Sequence, residues 1–402
     1  MKLPVALIGL CCAMHLIMAG NAKGQVTPDS TFKPKGTVWG VGFGDFAYKM
    51  DADPSNRGFT NQYTSIPDNQ SMFQFRRIYL GYDYEISKRF VGNFLLAMED
   101  NAVVPGTNGA PVNTGDLLTN GRYSLFIKNA NVTWKNIFKG TDVSLGMVHT
   151  PAAVLLPEVV WDYRCIERTI SEMRRTPAWD MGLIFSGKFF QSDTTELGYN
   201  FMIGNGTASR PENDAFKWFY GDIYGKFFKK RLIIDLYADY NRQTLPERSR
   251  RERMMYKGLL AWSGKKFTIG AEAFTTSLRN NATFTLEDNN AAVRDIRALN
   301  YSVFARGRVY KELLGFFVRY DSFDPSLALI GDEISIAENI SPNYSPFTSE
   351  QFFTAGFDYT PMDKIHIMPN VWMMNYENAG PGIANSGTDL VVRLSIYYVY
   401  GK

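Results

Sequence analysis

From Leu390 to Tyr400 the chain alternates with a period of two. Leu390, Val392, Leu394, Ile396, Tyr398 and Tyr400 share one parity, and Arg393 and Ser395 fall on the other. A β-strand points successive side chains to opposite faces, so this stretch has one apolar face and one partly polar face. The pattern recurs along the whole chain. Candidate strands run over 37–49, 72–84, 90–99, 123–135, 142–150, 179–190, 195–204 and 215–228. They continue over 232–241, 253–263, 266–276, 298–310, 313–321, 351–359, 364–376 and 388–400, about sixteen in all. Each is long enough for a tilted membrane strand, which needs roughly 9 to 11 residues.

Connection lengths alternate as well. Tight links such as 87–89, 229–231 and 264–265 recur between strands, and polar links over 100–122, 242–252, 277–297, 322–350 and 377–387 are long. Short turns on one side and long loops on the other, with an even strand count, predict a closed all-β antiparallel barrel whose apolar face is turned to lipid. The terminal strand is expected to seal it against 37–49. One long link differs. Residues 151–178 mix Leu155, Leu156, Val159, Val160 and Trp161 with Glu158, Asp162, Arg164, Glu167, Arg168, Glu172, Arg174 and Arg175. A solvated loop has little reason to be so apolar, so this segment is expected to fold into the barrel and narrow it. An external loop with a short amphipathic helix is the alternative.

The start of the chain reads as an export signal. Lys2 precedes an apolar run over residues 3–18, and Gly20-Asn21-Ala22 offers small residues where a signal peptidase cuts. Residues 1–22 are therefore expected to be removed, leaving 23–402 as the barrel domain. Beyond them no window approaches 18 consecutive apolar residues, so no membrane-spanning helix is expected. The mean hydropathy of −0.20 does not oppose a barrel, because alternating strands average out. Twenty-two Tyr and 29 Phe suit aromatic girdles at two membrane interfaces. The net charge of +3 points to neither nucleic acid nor polybasic membrane attachment. Cys165 is the one cysteine after the signal, so no intramolecular disulfide is available, and it reads as structurally neutral.

Ile127-Lys128-Asn129-Ala130-Asn131-Val132-Thr133-Trp134, followed by Leu145-Gly146-Met147-Val148-His149-Thr150-Pro151, resembles a strand pair of the phosphate-selective porin O and P family. Asn129 stands where that family usually has an acidic residue. Glu167-Arg168 with Asp180-Met181-Gly182-Leu183 and Gly187, then Asn205-Gly206 with Lys217 and Gly221, resemble its next segments. The resemblance covers about residues 70 to 230, and its strength lies in the order of short motifs. It implies a sixteen-stranded homotrimeric outer-membrane porin, of the kind found in Bacteroidetes, with one loop folded into the pore. Outer-membrane barrels of this kind commonly end in an aromatic residue, whereas here Gly401-Lys402 follow Tyr400.

If the greasier parity faces lipid, the inward cations are Arg77, Lys188, Lys226, Lys257, Arg306, Arg308, Arg319 and Arg393. The inward acids are Asp83, Glu99, Asp222, Asp235, Asp239, Glu272, Asp321 and Asp358. Eight face eight, and the inserted segment balances too. An anion-selective pore needs unpaired cations along its path. Phosphate selectivity therefore does not follow from these residues, although Arg168, Arg174 and Arg175 offer a local anion site. Lys128 is awkward: it shares a parity with Phe126, Ala130, Val132 and Trp134, the lipid face in this scheme.

Catalysis finds little support. His149 and His366 are the only histidines after the signal, neither lies near a Gly-x-Ser-x-Gly, and zinc-ligand spacing is absent. The expected function is passive diffusion of ions and small polar solutes, without catalysis or cofactor. A plugged binding or structural barrel is the alternative, and a barrel enzyme such as a phospholipase a more distant one. The expected partners are outer-membrane lipid and lipopolysaccharide, the barrel-assembly machinery, and further copies of the chain. Nucleic acid is not expected.

Overall fold

The computed structural model describes residues 31–55, 57, 63, 66–99, 104–105, 111–112, 125–173, 176–212, 214–244, 250–286, 291–325, 334–338, 348–378 and 386–401. The expected signal over 1–22, and Arg174 and Arg175, lie outside them. Residues 35 to 402 form one unit.

Sixteen long antiparallel strands make this unit. In chain order they are β1 (Lys35–Asp51), β2 (Ser71–Glu85), β3 (Phe90–Glu99), β4 (Phe126–Phe138), β5 (Thr141–His149), β6 (Trp179–Gln191), β7 (Glu196–Gly204) and β8 (Trp218–Phe227). Then come β9 (Leu232–Thr244), β10 (Arg250–Ser263), β11 (Phe267–Leu286), β12 (Ala291–Tyr310), β13 (Leu314–Asp324), β14 (Thr348–Met362), β15 (Ile365–Asn378) and β16 (Ser386–Tyr400). Each pairs with its sequence neighbours, and β16 pairs back on β1 with Gly40 opposite Tyr400, which closes the barrel. All sixteen expected strands are present.

Three expected loops are shorter than the sequence suggested. β11 and β12 are 20 residues each, because alternation continues through Thr283-Phe284-Thr285 and Ala291-Ala292-Val293 with no Gly or Pro to stop it. A short strand, Ile334–Glu338, pairs on the far end of β11. The expected links over 242–252 and 377–387 likewise give way at both ends to strand.

Burial follows the alternation. Leu80, Ile223, Leu236, Leu260, Ile269, Val303, Phe357 and Leu394 are exposed on the outer face. Inward positions on the same strands are polar or charged in many cases: Asp222, Asp235, Lys257, Glu272, Ser302, Asp358 and Arg393 are all buried. A soluble barrel would show the reverse. Near the short turns the outer face carries exposed Tyr82, Tyr84, Trp134, Phe228, Trp262, Phe267, Tyr310 and Tyr359, an aromatic girdle of the kind that sits at a lipid headgroup boundary.

β1 breaks the greasy-outside rule in a readable way. Val41, Phe43, Asp45, Ala47 and Lys49 turn inward, while Gly40 and Gly42 face out. The rings of Tyr400 and Tyr398 from β16 cover those two glycines so closely that a Cβ there would collide with them. Aromatic rings laid over glycine hold the closing seam together.

Candidate functional site in the barrel interior

From residue 151 the chain leaves β5 at the long-loop end and turns back, and the described residues 151–173 and 176–178 fill much of the barrel before β6 begins. Pro157 opens the short helix α1 (Pro157–Trp161), a position where its missing N–H costs nothing. The helix stops at Asp162, whose backbone is left-handed (φ 64°) and whose N–H returns to the Glu158 carbonyl at 2.7 Å. A second turn, α2 (Ile170–Met173), follows. Arg164 ties the two together: its Nη2 donates to Glu172 Oε1 at 2.7 Å, and its Nη1 pairs with both Glu158 and Glu172.

The apolar content of the segment now has a purpose. Leu156, Val160, Trp161, Tyr163, Cys165 and Ile166 pack on Phe43, Ile233, Leu259, Phe304, Phe317 and Met368 of the wall. Trp161 meets Phe304 edge-on with ring centroids 5.4 Å apart, and Phe317 at 6.4 Å. Burial pushes the Cys165 thiol up to about 12. Cys165 contacts Met368 and is inert, in keeping with a neutral structural role. Glu167 is held down to about 2: burial alone would raise it, but Arg168, the Trp372 indole and Arg393 outweigh that. Trp372 Nε1 donates to Glu167 Oε2 at 3.0 Å.

Four of the eight expected inward cations hold this segment. Arg393 Nη2 donates to the Ile166 carbonyl at 2.7 Å, Arg319 Nη1 to that of Arg168 at 2.6 Å, and Arg306 Nε to that of Val160 at 3.0 Å. Lys257 donates to the Ala152 carbonyl and lies 4.0 Å from Asp235 and 3.9 Å from Glu272. Asp358 accepts from Tyr163 at 3.0 Å, and pairs with Arg308 at 3.4 Å and His366 at 2.8 Å. Asp239 pairs with Arg253, which also reaches Thr176. Arg319 pairs with Asp321, and Arg306 with Asp162 at 3.3 Å. Lys188 and Lys226 converge on Glu196 at the short-turn rim. Asp222 accepts from Asn200, and Asp83 from Asn93. Arg77 lies 3.7 Å from Glu99. Arg168 lies 3.4 Å from Glu167, in a local ion pair.

Three features escaped the strict parity reading. β2 carries a β-bulge at Arg76, so Arg76 and Arg77 both turn inward, Arg76 onto Asp45 and onto the carbonyls of Cys165 and Ile166. β4 is bulged at Lys128. The lysine is therefore buried inside, not set in the lipid face, where it pairs with Glu99 and sits 3.2 Å from the Tyr79 hydroxyl. Phe126 likewise packs on the inner cluster. The third is Asp45, Lys49 and Asp389, with Lys49 and Asp389 paired at 2.7 Å. Asp45 and Lys49 are inward on β1, where glycines hide the apolar parity.

Toward the short turns the segment leaves part of the β1 to β6 wall uncovered. Between them lies a cavity of about 840 Å3 that reaches the short turns at Gly264, Lys265 and Asp363. Trp39, Tyr79, Asn93, Asn131, Thr133 and Ser144 line it from the wall, with Glu158, Asp162 and Arg164 on the segment side.

No family model and no curated protein matches this sequence. Solved structures do match over nearly all of it. An anion-selective porin from Comamonas acidovorans aligns at TM-score 0.56 and 11% identity, over 92% of this chain and 100% of that one. The outer-membrane channel DcaP of Acinetobacter baumannii aligns at TM-score 0.57 and 13% identity, over 92% and 99%. The outer-membrane protein OmpT of Vibrio cholerae, solved as a trimer form, aligns at TM-score 0.52 and 10% identity, over 92% and 100%. At these identities the likeness is one of fold, and the fold is the closed, sixteen-stranded barrel of outer-membrane porins.

Proposed function

We propose that the protein is an outer-membrane porin through which ions and small polar solutes diffuse passively. The observation that carries this reading is the cavity between the inserted segment and the β1–β6 wall, inside a barrel whose outer face is apolar. In this reading the segment sets the size limit, and the charged groups around it bias passage. The chain would be exported by its signal, inserted by the barrel-assembly machinery through its terminal strand, and surrounded by lipid and lipopolysaccharide. A homotrimer is supported by the trimeric form of one similar structure. Phosphate passage, which the family resemblance implies, draws no support from the pairing of Arg164, Arg306 and Arg308 in the cavity.

A second reading has its own observation. The segment bonds to β2, β10 and every strand from β12 to β16. Such anchoring suits a plug as well as a constriction. Planar-bilayer recording of the purified protein separates the two. Stepwise conductance is expected; a flat baseline with folded protein would leave the plugged barrel.

A further inference from the structure

The wall of the cavity that faces the segment carries little charge. Asp83 stands beside Asn93 and Asn93 beside Asn131 across β2, β3 and β4, with Thr133 beside Ser144 one step nearer the short turns. Asn93 Nδ2 donates to Asp83 Oδ1 at 2.8 Å, and Thr133 and Ser144 share a hydrogen bond of 2.7 Å. The result is a strip of amides and hydroxyls that spans two strand spacings, roughly 10 Å. Amides and hydroxyls offer both donors and acceptors, and they carry no net charge.

At the edge of this strip lies Trp39. Its indole sits flat against Gly81, because a Cβ at Gly81 would occupy the ring. The residue also lines the cavity. Deeper in, the rings of His149 and Trp179 meet with centroids 3.5 Å apart. His149 Nδ1 and Trp179 Nε1 are buried without a hydrogen-bond partner, and both residues line the cavity. The Trp179 side chain, more than nine-tenths buried, thus presents an unused donor to whatever enters.

Away from the short-turn mouth, where Lys265 and Lys266 are exposed, the cations on the opposite side are neutralised. Arg164 is shared by Glu158 and Glu172, Arg306 is paired with Asp162, and Arg308 is paired with Asp358. Beyond the mouth, a phosphate would have to break one of these pairs to reach a cation, whereas a neutral polyhydroxylated solute would not. An aromatic face beside convergent neutral donors and acceptors matches a sugar ring, with apolar C–H faces and a rim of hydroxyls.

We propose that this strip, with Trp39, Asn93, Asn131, Thr133 and Ser144 as its contact residues, is a binding track for neutral saccharides. The inference deepens the porin reading and rests on it for the idea of passage, but binding itself is measurable without conduction. The full-length mature protein is recorded in planar bilayers in KCl with raffinose or inorganic phosphate added. Raffinose is expected to reduce the current in a saturable way, with phosphate giving no comparable block. Asn93→Leu, which removes the amide at nearly constant shape, is expected to weaken the block at least tenfold. Asn131→Leu serves as a second variant should the first not fold. Tryptophan fluorescence of the barrel in detergent is titrated with raffinose in parallel. A conducting channel with neither block nor saturable quench overturns the saccharide track and leaves the porin standing. Saturable quench without conductance supports the track and overturns the porin. Equal block by phosphate and raffinose, or block untouched by a folded leucine variant, also overturns the track.

Discussion

At the scale of single residues, side-chain placement turns on two bulges. Strict alternation puts Arg77 inside and Arg76 outside, yet one extra residue in β2 brings both inward. The same device at Lys128 removes a cation from the lipid face, where a lysine at midplane costs about 2–4 kcal/mol. A bulge is a property of strand pairing, so nothing in the local alternation signals it. The charge itself was the clue: a lysine on an apolar parity is a reason to expect a register shift. Inside, Lys128 meets Glu99 with Arg77 3.7 Å from the same carboxylate. Replacing Lys128 by Met removes the nearer partner of a largely buried acid. Breaking a buried pair this way costs about 3–5 kcal/mol. Lys128→Met is therefore expected to lower the urea midpoint of the folded barrel, followed by its heat-modifiable gel mobility. Lys128→Met with Glu99→Gln is expected to recover most of the loss, because the stranded charge is then gone. Recovery absent in the double variant would show that lysine packing, not the charge pair, carries the effect.

At the scale of elements, the strands were the legible part and the inserted segment half so. β16 reads directly because its outer positions are Leu, Val, Ile and Tyr. β1 does not, because glycines occupy its outer face and borrow their cover from Tyr398 and Tyr400 across the seam. That cover is invisible until the two ends of the chain are paired. For residues 151–178 the apolar content told that the segment needs a surface, and Trp161 was among the residues that said so. Which surface it takes depends on wall residues more than 100 positions away, such as Phe304 and Phe317. Trp161 is therefore the natural place to loosen the element. Trp161→Ala removes a fully buried ring, for which losses of about 3–5 kcal/mol are typical. Since β-strand pairing does not depend on this ring, the barrel is expected to close and the segment to detach from β12 and β13. Single-channel conductance should then rise and become noisier. Unchanged conductance in a folded Trp161→Ala barrel would mean that the segment does not set the passage.

For the molecule as a whole, the question is which ions such an interior prefers. Parity gave eight expected cations and eight expected acids, but it missed Lys49, Arg76, Lys128, Asp45 and Asp389 and said nothing of how the charges are used. Arg306, Arg319, Arg393 and Lys257 donate to backbone carbonyls of the inserted segment, and three of them also lie beside a carboxylate at 3.3 Å or less or in direct contact with buried polar groups. Asp358 is divided among Tyr163, Arg308 and His366. Charges that hold one segment against another exert little net field on the cavity along the neutral wall of β3, β4 and β5. Lys265 and Lys266 remain exposed at the short-turn mouth, where solvent ions screen them within about 10 Å at 0.1 M salt. In a tenfold KCl gradient the reversal potential is thus expected to lie near zero, far from the roughly 59 mV of an ideally selective pore. Lowering the salt should lengthen the screening distance and let the mouth lysines shift the potential toward anion preference. Lys265→Gln with Lys266→Gln should abolish that shift without changing the high-salt value. Strong anion selectivity that persists in high salt and in the double variant would require an unpaired cation deep in the passage, and would favour a phosphate path over a neutral one.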